Sequence, residues 1–252
     1  MIDRVTIIVT DSLGVGALPD ADKFGDAGAD TFGHILDSVP HLDIPNMIRL
    51  GFANIDGCAG GRLKTWSPEG SFGKCREESK GKDTITGHWE IAGIYTETPF
   101  KTYPNGFPKE FIEEFEKEIG TEVIGNYPES GTVIIEKFGP EHEKTGKPIV
   151  YTSADSVFQI AADTDVIPLE KLYEICETAR KLLQGKWACG RVIARPYIIQ
   201  NGKRVRTSDR RDYAVAPPQE TLLDKIEDAG KPVVAVGKIH DIFDGQGITG
   251  FP

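Results

Sequence analysis

The stretch Gly81-Lys82-Asp83-Thr84-Ile85-Thr86-Gly87-His88-Trp89-Glu90 gathers hydroxyl, acidic, basic and aromatic side chains into ten residues. This pattern is typical of a loop that opens a helix, with Asp83 or Thr84 near the N-cap. The first amides of a helix have no acceptor within the helix, so they favour bound anions such as phosphate. The stretch therefore predicts an anion-binding helix start at which Thr84 is a candidate nucleophile.

The composition is that of an ordinary soluble globular protein. The chain has 252 residues, of which 39% are apolar and 27% charged, and this length suits one large domain or two smaller ones. The formal net charge of -10 argues against nucleic acid or an anionic membrane as a partner. No apolar run approaches the ~20 residues that span a bilayer. A local phosphate site remains compatible with this charge, because it needs only a few cations and amides.

The N-terminus and the cysteines indicate the compartment. The sequence enters a strand pattern at once and shows no signal peptide, which predicts a cytoplasmic protein. The cysteines are scattered and form no Cys-x-x-Cys pair, so reduced structural thiols are expected rather than a zinc site. They are Cys58, Cys75, Cys176 and Cys189.

Two apolar runs near the ends of the chain predict strands of a parallel α/β sheet. The first, residues 4–10, is β-branched and stops at Asp11, and a continuous apolar run favours a strand buried on both faces. Ligands of such sheets bind beyond the strand ends. Asp11 is therefore either a ligand of a hard cation or a cap of the next turn. The second run, residues 233–237, is followed by Lys238, which has the same position relative to its strand.

Residues 99–214 differ in character from the flanking sequence and predict an inserted α+β unit. Amphipathic spacing predicts helices over 107–118 and 169–183, and apolar runs predict strands over 149–152 and 191–198. Arg191 and Arg195, four residues apart, point to the same face of the second strand. The predicted organisation is a core of residues 1–98 and 215–252 with a separate insert. Further helices are predicted over 31–38, 44–51 and 220–229, and a short helix or strand over 132–137.

Several ordered motifs make the chain similar to one family, the phosphopentomutases of the alkaline phosphatase superfamily. The resemblance covers the whole chain, and residues 81–90 are close to a signature of the family. Such long ordered matches are far more specific than a single glycine motif. The other matching stretches are 11–16, 19–21, 24–26, 30–34, 45–47, 151–157, 190–196, 237–239 and 244–245.

The resemblance implies a fold and a reaction. The fold is an alkaline-phosphatase-like core sheet, incomplete here, with the insert as a cap over the active site. The family moves a phosphoryl group between C1 and C5 of ribose or deoxyribose. The matching positions make Thr84 the phosphoryl carrier, and Asp11 and Thr84 metal ligands. Two divalent metals, most often Mn²⁺, and a sugar bisphosphate activator are expected.

The resemblance also assigns the substrate contacts and the partners. Ser153, Asp155, Arg191 and Lys238 are expected to face the sugar phosphate. Pentose phosphates are the expected small-molecule partners, and the complete protein is expected to be a monomer.

Each assignment has a structural alternative. Thr84 could serve only as a helix cap, and Asp155 could cap a helix after its strand. His88 and Trp89 could act through packing or take part directly. Lys82 is assigned to neither role. His34 and His240 are expected to be structural or surface residues.

The chain also departs from the family. Members continue well past residue 252, and that part carries the later metal ligands, including an Asp-His pair followed by Gly. No Asp-His-Gly occurs here, and Asp11 and Thr84 alone do not complete a site for two hard cations. We therefore expect a fragment with little mutase activity of its own. The alternatives are another metal-dependent phosphatase or mutase of the superfamily, or a non-catalytic module that binds a sugar phosphate.

Overall fold

The computed structural model describes residues 4–10, 12–39 and 41–251, apart from the side chains of residues 59 and 60. The chain divides into two compact units, Met1–Glu77 and Glu78–Pro252, which we call the N-terminal unit and the C-terminal unit. Within the described ranges, no helix has the length and apolar character needed to cross a membrane.

The N-terminal unit consists of short helices around a small apolar core. Helix α1 (Thr31–Ser38) begins after Asp30, whose side chain accepts a hydrogen bond from the Gly33 amide. Helix α2 (Pro45–Leu50) has its proline at the first turn and ends at a left-handed Gly51, as expected for these residues. Both predicted helices are confirmed. The core contains Phe32, Leu36 and Cys58, and 3₁₀ turns cover Ala21–Phe24, Phe52–Asn54 and Cys58–Gly61.

The predicted strand over residues 4–10 is wrong. These residues form no strand, and Val5, Ile7 and Ile8 are 74%, 63% and 81% exposed. A strand that is buried on both faces needs hydrogen-bonded neighbours and a covering layer. The described residues of the N-terminal unit provide no paired strand for this run.

The C-terminal unit is built on a six-stranded sheet that lies within the predicted insert. The order is β1-β2-β3-β4-β5, and β6 also pairs with β4. The β1–β2 and β3–β4 pairs are parallel, whereas the β2–β3, β4–β5 and β4–β6 pairs are antiparallel. The strands are β1 (Ile124–Pro128), β2 (Ile149–Thr152), β3 (Val157–Asp163), β4 (Arg191–Gln200), β5 (Lys203–Arg206) and β6 (Arg211–Ala214).

Helices cover both faces of this sheet. Helices α4 (Lys109–Ile119) and α6 (Leu169–Leu182) pack on one face, where Phe111, Phe158 and Leu172 are fully buried. Helix α5 (Gly131–Thr145) packs on the other face. Cys176 on α6 lies in the core. Because the strand period is two, alternate residues of β4 enter the two layers.

Several sequence predictions for this sheet are confirmed and others are corrected. The predicted helices 107–118 and 169–183 and the strands 149–152 and 191–198 are present within a few residues. The ambiguous residues 132–137 lie in the long helix α5. Strands β1 and β3 were not predicted, and the basic segment 203–211, expected to be rich in turns, contains β5 and the first residue of β6.

The remaining helices of the C-terminal unit are α3 (Thr84–Ile91), α7 (Leu222–Asp228) and α8 (Ile239–Ile242). Helix α7 confirms the prediction over 220–229, and Thr221 caps it in a capping box with Asp224. The predicted strand over 233–237 is wrong. A single bridge joins Val234 to Gly250, and Val234 and Val236 are 64% and 69% exposed, because no strand in the described part of the unit extends this pairing.

Candidate functional site

Helix α3 begins as the sequence predicts, and the structure decides between its two cap candidates. Asp83 is the N-cap: its carboxylate accepts hydrogen bonds from the Thr86 amide at 2.9 Å and the Thr86 hydroxyl at 2.7 Å. Thr84 is the first helical residue and is half-buried. The cap fixes the first turn, so it fixes the position of the Thr84 backbone.

The first turn of α3, which begins at Thr84, carries backbone groups that suit an anion. The Gly87 amide donates to the Asp83 carbonyl, and the Thr86 amide is held by the cap. Among the described residues, the amides of Thr84 and Ile85 have no acceptor, and the Thr84 hydroxyl has no hydrogen-bond partner. Unpaired amides at a helix start favour phosphate. The geometry therefore fits a hydroxyl that receives or holds a phosphoryl group.

His88 and Trp89 place two unusual polar atoms on α3. The His88 Nδ1 lies 2.7 Å from the Thr84 carbonyl oxygen, so it donates as Nδ1–H one turn along the helix. The His88 Nε2 and the Trp89 Nε1 are buried and have no partner among the described residues. The Trp89 ring meets Phe100 edge to face at 5.7 Å. His88 thus contacts the backbone of Thr84, and Trp89 is a packing residue.

Helix α3 is anchored on its other side by an apolar cluster, which we call the helix cluster. It joins Ile85, Trp89, Ala92 and Ile94 to Ala214, Ile242 and Phe243. Lys238 is the N-cap residue of α8, which also carries Ile242. The helix that bears Thr84 and the helix that begins after Lys238 are therefore parts of one packed cluster.

Three of the sequence-predicted substrate contacts lie at one end of the sheet. Ser153 and Asp155 follow β2, and Arg191 begins β4, where it pairs with Val157 of β3. The Arg191 Nη2 lies 3.8 Å from the Asp155 carboxylate. Arg191 is almost completely buried, whereas Asp155 is exposed. Asp155 lies in the turn between β2 and β3, so it is not the cap of a helix.

Sequence reasoning missed Asp212, which is central to this region. Its carboxylate accepts one hydrogen bond from the Arg191 Nη1 at 3.2 Å and two from Arg210, both at 2.6 Å. These bonds raise the pKa of Arg210. Asp212 faces Ile193 across the β4–β6 pair, and that register could not be inferred from local sequence.

A second group of residues extends the basic surface along the same face of the sheet. The Arg195 Nε donates to the Gln159 Oε1 at 3.1 Å. Burial, followed by the positive charges of Arg210 and Arg206, lowers the pKa of Arg195. The Tyr151 hydroxyl is buried without a hydrogen-bond partner among the described residues, and burial raises its pKa.

Arg206 and Tyr151 both reach the first residue of α5. A Cβ placed on Gly131 would collide with Arg206 Nη2 and Tyr151 Oη. A glycine here lets both groups approach the helix start. We call Arg191, Arg195, Arg206 and Arg210 the arginine cluster. The sequence indicated part of this cluster through the even spacing of Arg191 and Arg195. The basic segment 203–211 contains Arg206 and Arg210, but the sequence did not indicate which residues they contact.

The metal ligands expected from the sequence are not assembled in the described residues. Asp11 lies outside the described ranges. Within those ranges, no group of three or more His, Cys, Asp or Glu side chains is arranged to hold a metal ion. Thr84 alone does not fit a two-metal centre, since hard cations need several oxygen ligands each.

The fold and the site define an α/β protein with two anion-directed features, a helix-start hydroxyl and an arginine cluster. Comparison with curated proteins finds similar proteins of one kind. A phosphopentomutase from Caldanaerobacter subterraneus subsp. tengcongensis is 58% identical over 99% of this chain. One from Clostridium acetobutylicum is 54% identical over 99%, and one from Clostridioides difficile is 56% identical over 98%. No protein-family model matches the chain.

These comparisons confirm the resemblance seen in the sequence: along almost its whole length the chain is similar to phosphopentomutases. The chain spans 63–64% of the length of the same relatives.

Proposed function

We propose that the chain is part of a phosphopentomutase, an isomerase that interconverts the 1-phosphates and 5-phosphates of ribose and deoxyribose. The observation that carries the proposal is the 53–58% identity to proteins of that name over 98–99% of the chain. The free hydroxyl at the start of α3 and the arginine cluster are independent support. Both are the groups that phosphoryl transfer and phosphate binding require.

In this proposal Thr84 carries the phosphoryl group. The Thr84 oxygen forms a bond to phosphorus as the bond from phosphorus to the sugar oxygen breaks. The hydroxyl proton leaves, and the sugar oxygen takes up a proton. The reverse step at the other sugar position completes the isomerisation. The free amides of Thr84 and Ile85 are placed to bind the transferred group, and the Asp83 cap holds them in position.

The insert, residues 99–214, is proposed to be a cap that binds the pentose phosphate. Its sheet presents Ser153, Asp155 and Arg191 at one end. Arg210 shares Asp212 with Arg191, and Arg206 lies further along the sheet near Tyr151. Arginine can bind a phosphate through two parallel hydrogen bonds, which lysine cannot do. Lys238, from the returning segment 215–252, is proposed as a further contact to the substrate.

The flanking residues 1–98 and 215–252 are proposed to belong to an alkaline-phosphatase-like core. The exposed apolar segments 4–10 and 233–236 support this proposal, because they have strand-forming composition without strand partners here. A longer protein, as the length of the relatives suggests, can supply those partners.

The complete enzyme is proposed to use two divalent metal ions, Mn²⁺ foremost, with Asp11 and Thr84 among the ligands and a sugar bisphosphate as activator. The described residues do not form such a centre, so we derive no step through the metals. A cytoplasmic monomer that acts on pentose phosphates, without nucleic acid or membrane partners, completes the proposal.

Turnover of ribose 1-phosphate to ribose 5-phosphate tests the proposal. With added Mn²⁺ we expect the 252-residue chain to show little activity and a protein extended to the length of the relatives to be active. In the extended protein, Thr84→Ala abolishes turnover and removes a phosphorylated species from the intact mass spectrum. Thr86→Ser, which keeps the hydroxyl bound to Asp83, serves as the control. Full turnover by Thr84→Ala contradicts the role of Thr84, and near-normal turnover by the 252-residue chain contradicts the fragment interpretation.

A second candidate is non-catalytic binding of a sugar phosphate by this chain. The assembled arginine cluster favours it, because that cluster is complete without a metal centre. Calorimetric titration with ribose 5-phosphate, together with intact mass measurement for phosphorylated Thr84, separates the two. Binding without phosphorylation supports this second function for the chain alone.

A further inference from the structure

Two residues of the arginine cluster, Arg191 and Arg210, share one nearly buried carboxylate, that of Asp212. The Asp212 side chain is only 12% exposed and accepts three hydrogen bonds from two guanidinium groups. The Nε and Nη2 of Arg210 bind it in a two-point contact, and Arg191 contributes Nη1. This geometry fixes the plane of the Arg210 guanidinium and the rotamer of Arg191.

Each of these arginines retains an edge that Asp212 does not use. The Arg191 Nη2 lies 3.8 Å from Asp155, which is longer than a hydrogen bond. The Arg210 side chain is 42% exposed, and in the described ranges its Nη1 has no acceptor. Arg206 likewise has no carboxylate within ion-pair distance among the described residues. Asp212 therefore fixes Arg191 and Arg210 and leaves some of their N–H donors available to a ligand.

We propose that Asp212 is a positioning residue for the sugar-phosphate site: it orients Arg191 and Arg210 before the ligand arrives and does not touch the ligand itself. The inference rests on the proposed function, since it assumes that the arginine cluster binds the phosphate of a pentose phosphate. Its basis is the three-bond geometry at Asp212 and the open edges of the arginines.

Two physical effects of Asp212 on an anion oppose each other. Its negative charge weakens the attraction of the cluster for phosphate. Its hydrogen bonds remove the rotamer freedom that two long side chains would otherwise lose on binding. Asp212 also holds arginines of like charge close together. The repulsion between such charges contributes, after burial, to the lowered pKa of Arg195 beside Arg210 and Arg206. We expect the positioning effect to exceed the charge effect, because both arginines are bonded at short range.

The direction in which Kd changes when Asp212 is replaced decides between these two effects. In calorimetric titrations of the 252-residue chain with ribose 5-phosphate, Asp212→Asn is expected to raise Kd about tenfold, or about 1.4 kcal/mol. Asp212→Glu, which keeps the charge and both oxygens, is expected to recover part of the loss. Asp209→Asn is the matched control, because Asp209 lies three residues away and its side chain makes no hydrogen bond in the described structure.

Salt separates positioning from charge. A positioning effect persists at 0.5 M salt, whereas a long-range charge effect is screened there. Unchanged or tighter binding by Asp212→Asn, with a folded protein by circular dichroism, overturns the inference while the wild-type titration leaves the proposed function intact.

A ligand-free measurement covers the case in which the wild-type chain binds no ribose 5-phosphate, which would contradict the proposed cap function. Nuclear magnetic resonance of arginine side chains reports the Nε–H of Arg210 directly. In the wild type this proton is expected to exchange slowly, because it is bonded to Asp212. In Asp212→Asn we expect exchange at least tenfold faster. Equal exchange rates in the two proteins overturn the positioning role without reference to any ligand.

Discussion

Two kinds of apolar run in this chain have similar compositions, but one kind forms buried strands and the other does not. In the six-stranded sheet, β2 and β3 are buried along their whole length. The run 233–236 has the same β-branched composition, yet Val234 and Val236 are 64% and 69% exposed. Residues 4–10 of the N-terminal unit behave like the second kind, with Ile8 81% exposed. Composition therefore indicates which segments can be strands, and pairing decides which of them become strands.

Amide hydrogen exchange gives the largest expected contrast between these regions. Strands β3 and β4 have hydrogen-bonded neighbours on both sides, so their amides exchange only through unfolding of the sheet. The amides of residues 4–10, Val234 and Val236 donate no hydrogen bond among the described residues and are expected to exchange near the unfolded rate. The Val233 and Ala235 amides donate to Thr249 Oγ1 and the Gly250 carbonyl, so they are expected to exchange more slowly. We expect rates that differ by at least about a thousandfold. Slow exchange at 4–10 in the 252-residue chain would contradict the absence of strand partners for this run.

An extended protein sharpens the same experiment. If segments 4–10 and 233–236 are strands of a core sheet, exchange at both slows strongly once the remaining length of the relatives is present. Exchange in β3 and β4 changes little, because their partner strands lie within the six-stranded sheet. Continued fast exchange at both segments contradicts the core proposal.

A pair of valine substitutions tests the energetic side of the comparison. Val192 on β4 is fully buried, whereas Val236 is 69% exposed. Val192→Ala removes two buried methyl groups and leaves a cavity, so the unfolding free energy is expected to fall by about 2–3 kcal/mol. Val236→Ala is expected to change it by less than about 0.5 kcal/mol. Denaturant unfolding followed by tryptophan fluorescence measures both, and equal effects contradict the contrast.

The sequence predicted those elements whose signals are local. Helix α3 begins at Asp83 and α6 follows a regular apolar spacing, so caps and periodicity locate them. Strand β1 was not predicted, because Gly125, Asn126 and Pro128 are residues that strands disfavour. The strand has an irregular register, and Asn126 has a φ of 66°. The runs 4–10 and 233–237 were predicted wrongly in the opposite way: their local signal is strong, but the described residues give them no paired strand.

The candidate site also contains residues with a local sequence signal and residues without one. Thr84 and Arg191 stand in stretches whose composition marks them, and the structure places them at a helix start and a strand end. Asp212 and Arg206 depend on the register of β6 and β5 against β4. That register is set by the whole sheet, so no window of sequence contains it.

The segment 78–80 is intermediate between the two kinds of run, and Glu90 explains why. It belongs to no strand, yet the amides of Glu78 and Ser79 donate to the two Glu90 carboxylate oxygens at 2.8 and 2.7 Å. The Lys80 amide donates to the Thr96 carbonyl. A side-chain carboxylate here replaces the neighbouring strand. Burial raises the pKa of Glu90, but the hydrogen bonds from Ser79 and Glu78 outweigh it and the pKa is lowered below 4.5.

The smallest expected effect is therefore the pH-dependent loss in Glu90→Gln. A carboxyl whose pKa is lowered in the folded state stabilises that state above its unfolded pKa, and the stabilisation is lost as pH falls through the lowered value. At pH 7 the variant is expected to lose about 1 kcal/mol of unfolding free energy, a modest figure because the contact is partly solvated. At a pH below the lowered pKa of Glu90 the difference from the wild type shrinks, since both side chains are then neutral. Glu97→Gln, at an exposed glutamate without a hydrogen bond in the described structure, is the control. A loss that is equal at both pH values would contradict a role for the Glu90 charge.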